Sequence, residues 1–132
     1  MNTQLEEYFG ETVYSYTREQ AIADGVLIDV TEPAAKDFGF KVPVAITQAV
    51  WQDCISRNNN TQLMYQYETD HLADILWVCY LAAQKTQGDT AFFDVIQIPE
   101  GQTQLTTVKL KSIIGPGDTP SPVLTIMFPQ ED

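Results

Sequence analysis

Three carboxylates and a tyrosine near the start of the chain have residue types and spacing suited to acid–base chemistry. Asp24, Asp29 and Glu32 fall within nine consecutive positions, and Tyr16 precedes them. Asp29 interrupts an apolar run, and a carboxylate in a buried strand is costly unless it is paired or used. The set could act as a general acid and base, or as ligands for a hard cation.

Asp29 and the neighbouring tyrosines also have interpretations without catalysis. Asp29 could lie at the end of its strand and cap the backbone there, or pair with Arg18 or Lys36. Tyr14 and Tyr16 share one face at strand spacing, where their rings beside Arg18 could stack on a planar ligand or on an arginine of a partner. The simpler interpretation is an aromatic pair at a strand edge that packs on the sheet with its hydroxyls in water.

The single histidine, His71, lies near the start of a predicted helix. Asp70 and Asp74 share one helical face with it, so the three side chains could form a metal-binding face. A solvated first turn, with acids near the positive end of the helix dipole, is the more common arrangement. No H-E-x-x-H, paired C-x-x-C or G-x-S-x-G motif is present, which disfavours the familiar zinc and hydrolase chemistries. We predict no metal and no cofactor.

The charge of the chain restricts its partners. Among 132 residues, 18 are acidic and 7 are basic, which gives a formal net charge of −11. This charge repels nucleic acid and anionic membranes, and it either keeps the protein in solution or attracts a protein with a basic surface. No apolar run approaches the roughly 18 residues of a spanning helix, and the N-terminus has no signal-peptide pattern. We therefore expect a cytoplasmic protein without a membrane or nucleic-acid partner.

One segment concentrates acids in a way that could imitate DNA. Duplex DNA presents about one phosphate charge per 1.7 Å of axis, so a mimic needs a band of carboxylates with few cations. Between residues 68 and 100 only Lys85 interrupts the acids, and Asp118 could join them. The candidate binding residues are Glu68, Asp70, Asp74, Asp89, Asp94, Glu100 and Asp118. The alternative is that these acids scatter over the surface as solubilising charge.

Local signals predict the elements that position the first carboxylates. Thr17 and Gln20 form a capping box at the start of a short helix, and Gly25 is placed to end it. Residues 26–30 then form an apolar strand, which we place in the centre of the sheet. A segment from Thr31 to Gly39 and a second extended stretch at residues 40–46 follow.

Two further helices are predicted in the middle of the chain. Thr47 caps the first, which runs to about residue 57, and Thr69 caps the second, residues 70–85. Cys54 and Cys79 fall on apolar stripes, as buried reduced thiols do. Trp77 lies beside the buried stripe, which suggests that the second helix packs on more than one side.

The last third of the chain changes to a period of two. Strands are predicted at residues 90–98, 105–114 and 123–128, separated by a turn at 99–101 and a loop at 115–122. That loop lacks the lysine and the helix of a phosphate-binding loop, so it is predicted to be a rigid connection with Asp118 at its tip. The pattern predicts an α+β fold, with helices on one face of a mainly antiparallel sheet and a C-terminal three-stranded meander. Residues 13–132 would form one domain after a lead-in at 1–12.

Three sequence blocks together resemble a known family. They are YSYTREQAIADGVLIDVTE, PVAITQAVW, and GPGD followed by VLTIMFPQED. The chain resembles a family of small acidic bacterial proteins of unknown function, often encoded on plasmids and other mobile elements. The resemblance implies a cytosolic bacterial setting and supplies no catalytic residues. Its association with mobile elements also favours anti-defence and plasmid-maintenance roles as candidate functions.

Three functional hypotheses follow from the sequence. The first is a non-enzymatic acidic protein that engages a basic, nucleic-acid-binding protein surface, as DNA mimics do in anti-restriction systems. The second is a small enzyme that uses Asp24, Asp29 or Glu32 together with Tyr16. The third is an accessory protein that forms a homodimer through its sheet edge.

Overall fold

The described part of the chain contains three helices, two turns of five residues each and five strands. The computed structural model describes residues 16–56, 61–97 and 104–132. In chain order the elements are helix α1 (Arg18–Ala23), strand β1 (Leu27–Asp29), a kinked turn (Thr31–Ala35) in which Glu32 has an extended backbone, β2 (Val44–Thr47), α2 (Gln48–Val50), a π-helical turn (Trp51–Ile55), α3 (Thr61–Lys85), β3 (Thr90–Gln97), β4 (Thr106–Pro116) and β5 (Pro122–Met127).

The strands form one sheet in the order β1-β2-β5-β4-β3. β5 pairs antiparallel with β4, and β4 pairs antiparallel with β3, so the predicted meander is confirmed. β5 also pairs parallel with β2, which joins the first part of the chain to the last. The central strand is therefore the last one in the sequence.

Helix α3 covers one face of the sheet and forms the core with it. Its residues Ile75, Leu76 and Cys79 are fully buried. They belong to one cluster with Phe93, Leu110 and other inward-facing strand residues. β3 alternates buried and exposed positions along its whole length, as its period of two predicts. The predicted α+β class, with helices against a mainly antiparallel sheet, is confirmed.

Several local predictions are confirmed because they depend on residues close in sequence. The Thr17 capping box is present at α1, and Thr47 caps α2 by accepting a hydrogen bond from the Val50 amide. Gly25 has a φ of 80°, a left-handed conformation that favours glycine. Cys54 and Cys79 are both buried.

Two predictions about the early and middle elements are wrong. Strand 26–30 is not central: β1 covers only Leu27–Asp29 and lies at the edge of the sheet. An apolar run predicts burial but does not show which strands flank the strand, and at the sheet edge Val26 is exposed while Leu27 and Ile28 are only half-buried. The long helix starts at Thr61, so Thr69 lies inside it and cannot be its N-cap, which requires a non-helical backbone.

Some predictions concern residues outside the described ranges. These are the lead-in at residues 1–12, Tyr14, the loop residues 58–60, the turn at 99–101 and Glu100. The domain boundary at residue 13 stays a prediction. Among the described helices, none has the length and apolar character needed to cross a membrane.

Candidate functional site: a carboxylate-lined cavity beside helix α1

Helix α1 is held at its N-terminus by residues from both ends of the chain. Thr17 Oγ1 accepts a hydrogen bond from the Gln20 amide at 3.0 Å, and the Gln20 side chain accepts one from the Thr17 amide at 3.0 Å. The Asp118 carboxylate accepts from the amides of Arg18 at 2.7 Å and Glu19 at 3.0 Å. A negative charge at this position also suits the positive end of the helix dipole. The loop between β4 and β5 is thereby fastened to α1.

Arg18 makes the return connection from α1 to the sheet. Its Nη1 donates to Thr125 Oγ1 at 2.7 Å, and its Nη2 donates to the Leu124 carbonyl at 2.9 Å. Thr125 lies between the core residues Leu124 and Ile126, so its side chain faces away from α3, and α1 packs on this opposite face. Burial lowers the pKa of Arg18, while the charges of Asp29 and Asp118 act against that shift. The guanidinium stays charged and pins the helix in place.

A cavity of about 430 Å³ lies between α1, the end of β1 and the β4–β5 loop. Its apolar walls come from Ile22, Pro43, Pro122 and Val123. The charged side chains on its lining are Arg18, Glu19, Asp29 and Asp118. Three carboxylates and one guanidinium leave a net charge of minus two. An apolar recess bordered by carboxylates suits an organic cation, such as the side chain of a lysine or arginine.

A second cavity, of about 310 Å³, adjoins α1 and shares Arg18 and Asp118 with the first. Tyr16 and Leu27 contribute to its lining. Residues of the proposed catalytic set and of the proposed binding set therefore both line the cavities beside α1. Asp29 and Tyr16 belong to the proposed catalytic set, and Asp118 belongs to the proposed binding set.

The four proposed catalytic residues do not come together as one acid–base group. Tyr16 donates a hydrogen bond to Asp24 at 2.6 Å. This bond raises the pKa of the Tyr16 hydroxyl, with smaller contributions from desolvation and from the Asp24 charge. Asp29 Oδ1 accepts from both the amide and the hydroxyl of Thr31, at 3.0 Å and 2.6 Å. Glu32 pairs with Lys36 at 3.2 Å. Asp29 therefore caps the end of its strand, as the simpler interpretation predicts.

The candidate metal face on α3 does not assemble into a cluster. Within residues 16–56, 61–97 and 104–132, no three His, Cys, Asp or Glu side chains are grouped so that they could hold a metal ion. His71 Nδ1 lies 3.5 Å from Gln97 Nε2, at the end of β3. Burial raises the pKa of Asp74 most, the Asp70 charge adds to this, and His71 opposes it.

The other acids of the proposed binding set occupy separate places. Asp74 lies at the middle of α3, whereas Asp89 follows the C-terminal end of the helix, where its carbonyl accepts a hydrogen bond from the Ile114 amide at 2.9 Å. Asp94 points from β3 to the face opposite α3 and pairs with Lys109 at 3.2 Å. Asp118 lies beside α1. The described members therefore do not line up along one face.

A surface that the sequence interpretation missed lies on the outside of α3. Trp77 is 49% exposed and Leu81 is 36% exposed. Trp77 stands seven positions after Asp70 and three after Asp74, a spacing that places all three on one helical face. This spacing identifies the shared face, but the position of Trp77 beside an apolar stripe predicted a second packed side of the helix and not an exposed one.

These features define a small acidic α+β domain with a carboxylate-lined cavity on one face of its sheet and an aromatic surface on the other. The chain belongs to a protein family of unknown function, DUF6573, whose model matches residues 5–132. A comparison with curated proteins found no significant match, and a comparison with solved structures found none either.

Proposed function

We propose that this protein is a non-enzymatic, acidic interaction protein that engages a basic surface of another protein. The cavity beside α1 carries the proposal, because its net charge of minus two and its apolar walls suit an inserted lysine or arginine side chain. The setting we propose is the cytoplasm of a bacterium, with a gene carried on a mobile element.

The way in which the cations are engaged supports this proposal. Among the described residues, Arg18 bonds to β5, Lys36 pairs with Glu32, Lys109 pairs with Asp94, and Lys111 donates to the Pro129 carbonyl. These four cations therefore form bonds within their own chain. Because the net charge of the chain is −11, the electrostatic field at its surface is dominated by carboxylates, which steer basic proteins toward it.

The cavity supports binding better than catalysis. Asp29 lines it, as an enzymatic role would require. Both oxygens of Asp118, however, already accept amide hydrogen bonds, and Arg18 is bonded to β5. Tyr16 donates to Asp24 and not to Asp29. These polar groups hold α1 in position, which is what a preformed binding site needs.

The placement of the acids favours local recognition of basic side chains over a phosphate-like band. Asp94 and Asp74 lie on opposite sides of the sheet, and Asp118 lies beside α1.

Self-association through the sheet edge has one supporting observation: β3 is an edge strand whose Phe92 is 62% exposed. Light scattering of the purified chain tests this third hypothesis, and a constant monomer mass would exclude it.

A capture experiment tests the proposed function. The immobilised full chain is incubated with bacterial lysate, eluted with rising salt, and the captured proteins are identified. We expect basic proteins that elute below about 0.5 M salt, because screening at this ionic strength weakens exposed charge pairs. The Glu19→Gln/Asp29→Asn variant neutralises two cavity carboxylates and should lose most of them. Asp37→Asn/Asp53→Asn removes two exposed acids outside this cavity and should retain them. Captured proteins that are not basic, or that resist salt, would contradict the proposal.

A further inference from the structure

The outward face of helix α3 combines acids and apolar side chains in one line. Asp70, Asp74, Trp77 and Leu81 are all exposed and follow one another at intervals of four, three and four residues. At 3.6 residues per turn this spacing keeps them on one face, opposite the buried Ile75, Leu76 and Cys79. The helix thus carries apolar side chains on two sides. The sheet covers the side with Ile75, Leu76 and Cys79, whereas Trp77 and Leu81 on the other side remain exposed.

Trp77 is supported by other rings and is held in a defined orientation. Its ring stacks on Tyr80 with centroids 6.3 Å apart and an interplanar angle of 14°. Phe38 lies 6.3 Å away on another side, and Phe40 contacts Tyr80 edge-on at 5.4 Å. A half-exposed tryptophan that is already ordered loses little side-chain entropy when a partner covers it. Residues of this kind contribute most of the binding energy in protein interfaces.

The charges on this face indicate what covers it. Asp70 and Asp74 place two negative charges on the N-terminal side of Trp77, within the same stripe. Lys85 lies in the last turn of the helix, beyond Leu81. A complementary occupant carries basic side chains toward Asp70 and apolar side chains over Trp77 and Leu81. A second copy of this strongly acidic chain does not offer that pattern.

We propose that the outward face of α3 docks an amphipathic basic helix of the partner. The apolar side chains of that helix cover Trp77 and Leu81, and its lysine or arginine side chains face Asp70 and Asp74. This inference rests on the proposed function in that the partner is basic, but it names a different surface from the cavity beside α1. Helices commonly bind in this way, through apolar anchors spaced along one face.

The test uses the full chain and a synthetic amphipathic helix of leucine and lysine, roughly 18 residues long, with a scrambled peptide of the same composition. We expect Trp77→Ala to weaken binding of the helical peptide at least about tenfold, as loss of an interface anchor does. Asp70→Asn/Asp74→Asn should weaken binding at low salt and flatten its salt dependence. Phe92→Ala is the matched control, because Phe92 is a similarly exposed aromatic residue on the other face of the sheet. It should leave the affinity unchanged, and circular dichroism should show that every variant is folded.

Three results would overturn the inference. Equal binding of the scrambled peptide would show that helical order is not recognised. An equal loss in Phe92→Ala and Trp77→Ala would place the contact elsewhere. A dimer that dissociates in Trp77→Ala would show that a second copy covers the face. Each result leaves the proposed function standing if basic proteins are still captured through the cavity, so the two proposals fail separately.

Discussion

Cys79 shows how burial sets the chemistry of a single side chain in this protein. It lies on α3 at the centre of the core and is fully buried. Burial raises the pKa of its thiol to about 11, and a hydrogen bond with Ser112 acts in the opposite direction. A thiol that stays protonated is a poor nucleophile and a poor metal ligand. Cys79 is therefore a packing residue, in keeping with its place on an apolar stripe.

The raised pKa of Cys79 predicts a loss of stability at alkaline pH. An unfolded thiol ionises near pH 8.5, so between about pH 8.5 and 11 the unfolded state has released a proton that the folded state still holds. The contribution of Cys79 is complete below this window and is lost as the pH rises through it. Between pH 8 and 10.5, wild type should lose about 2 kcal/mol more unfolding free energy than Cys79→Ala, as measured by urea unfolding. Parallel pH profiles for the two proteins would show that the thiol is not shielded.

At the scale of elements, Gly39 allows the segment before β2 to approach α3. Its φ of 101° is favoured only by glycine, and a Cβ added there would lie 3.2 Å from the Tyr80 hydroxyl oxygen and 3.3 Å from its ring. This close approach lets Phe38 and Phe40 contact Trp77 and Tyr80. The glycine thus serves the same aromatic cluster that supports the outward face of α3.

Replacing Gly39 with alanine should destabilise the protein. Backbone strain and the contact with Tyr80 together should lower the unfolding free energy by about 1–3 kcal/mol in urea titrations. Gly88→Ala provides the control, because Gly88 lacks a positive φ and an added Cβ there meets nothing within 4 Å. Its change should stay within about 0.5 kcal/mol. Similar losses of unfolding free energy in both variants would mean that the destabilisation does not come from the close contact between Gly39 and Tyr80 of α3.

The elements also show which parts of the structure the sequence could predict. The Thr17 capping box, the turn at Gly25 and the alternation in β3 depend on residues only a few positions apart, and all three were predicted correctly. The place of β1 at the edge follows from the pairing of β2 with β5, such as Val44 with Leu124, and the cavity beside α1 depends on contacts such as Arg18 with Asp118; the residues of these pairs are far apart in the sequence. Sequence periodicity contains no information on such pairs. The spacing of Asp70, Asp74 and Trp77 shows that they share one helical face, but it does not show whether that face meets solvent or another element of the fold.

For the whole molecule, the net charge of −11 is a destabilising term. Two salt bridges are present within the described ranges, Lys36–Glu32 and Lys109–Asp94, and both are largely exposed. Exposed pairs of this kind contribute about 1 kcal/mol or less each. Repulsion among the remaining carboxylates therefore outweighs attraction at low ionic strength.

Salt should consequently stabilise the protein. Raising sodium chloride from about 10 mM to 200 mM shortens the screening length from about 30 Å to less than 10 Å, which weakens repulsion across the surface. We expect the Tm to rise by a few degrees in calorimetry. Exchanging sodium for potassium at fixed ionic strength is the control and should have no effect. A Tm that falls with added salt would show that attractive surface pairs dominate.

The position of β5 at the centre of the sheet has a consequence for biosynthesis. A chain emerging from the ribosome presents β1 with β2 first, and β3 with β4 later, but neither pair has an edge that joins the other without β5. Until Met127 has left the exit tunnel, the apolar faces that carry Ile46 and Leu110 belong to two unconnected pieces. Assembly of the sheet therefore has to wait until β5 has been synthesised, and until then the two apolar faces are exposed to association with other chains.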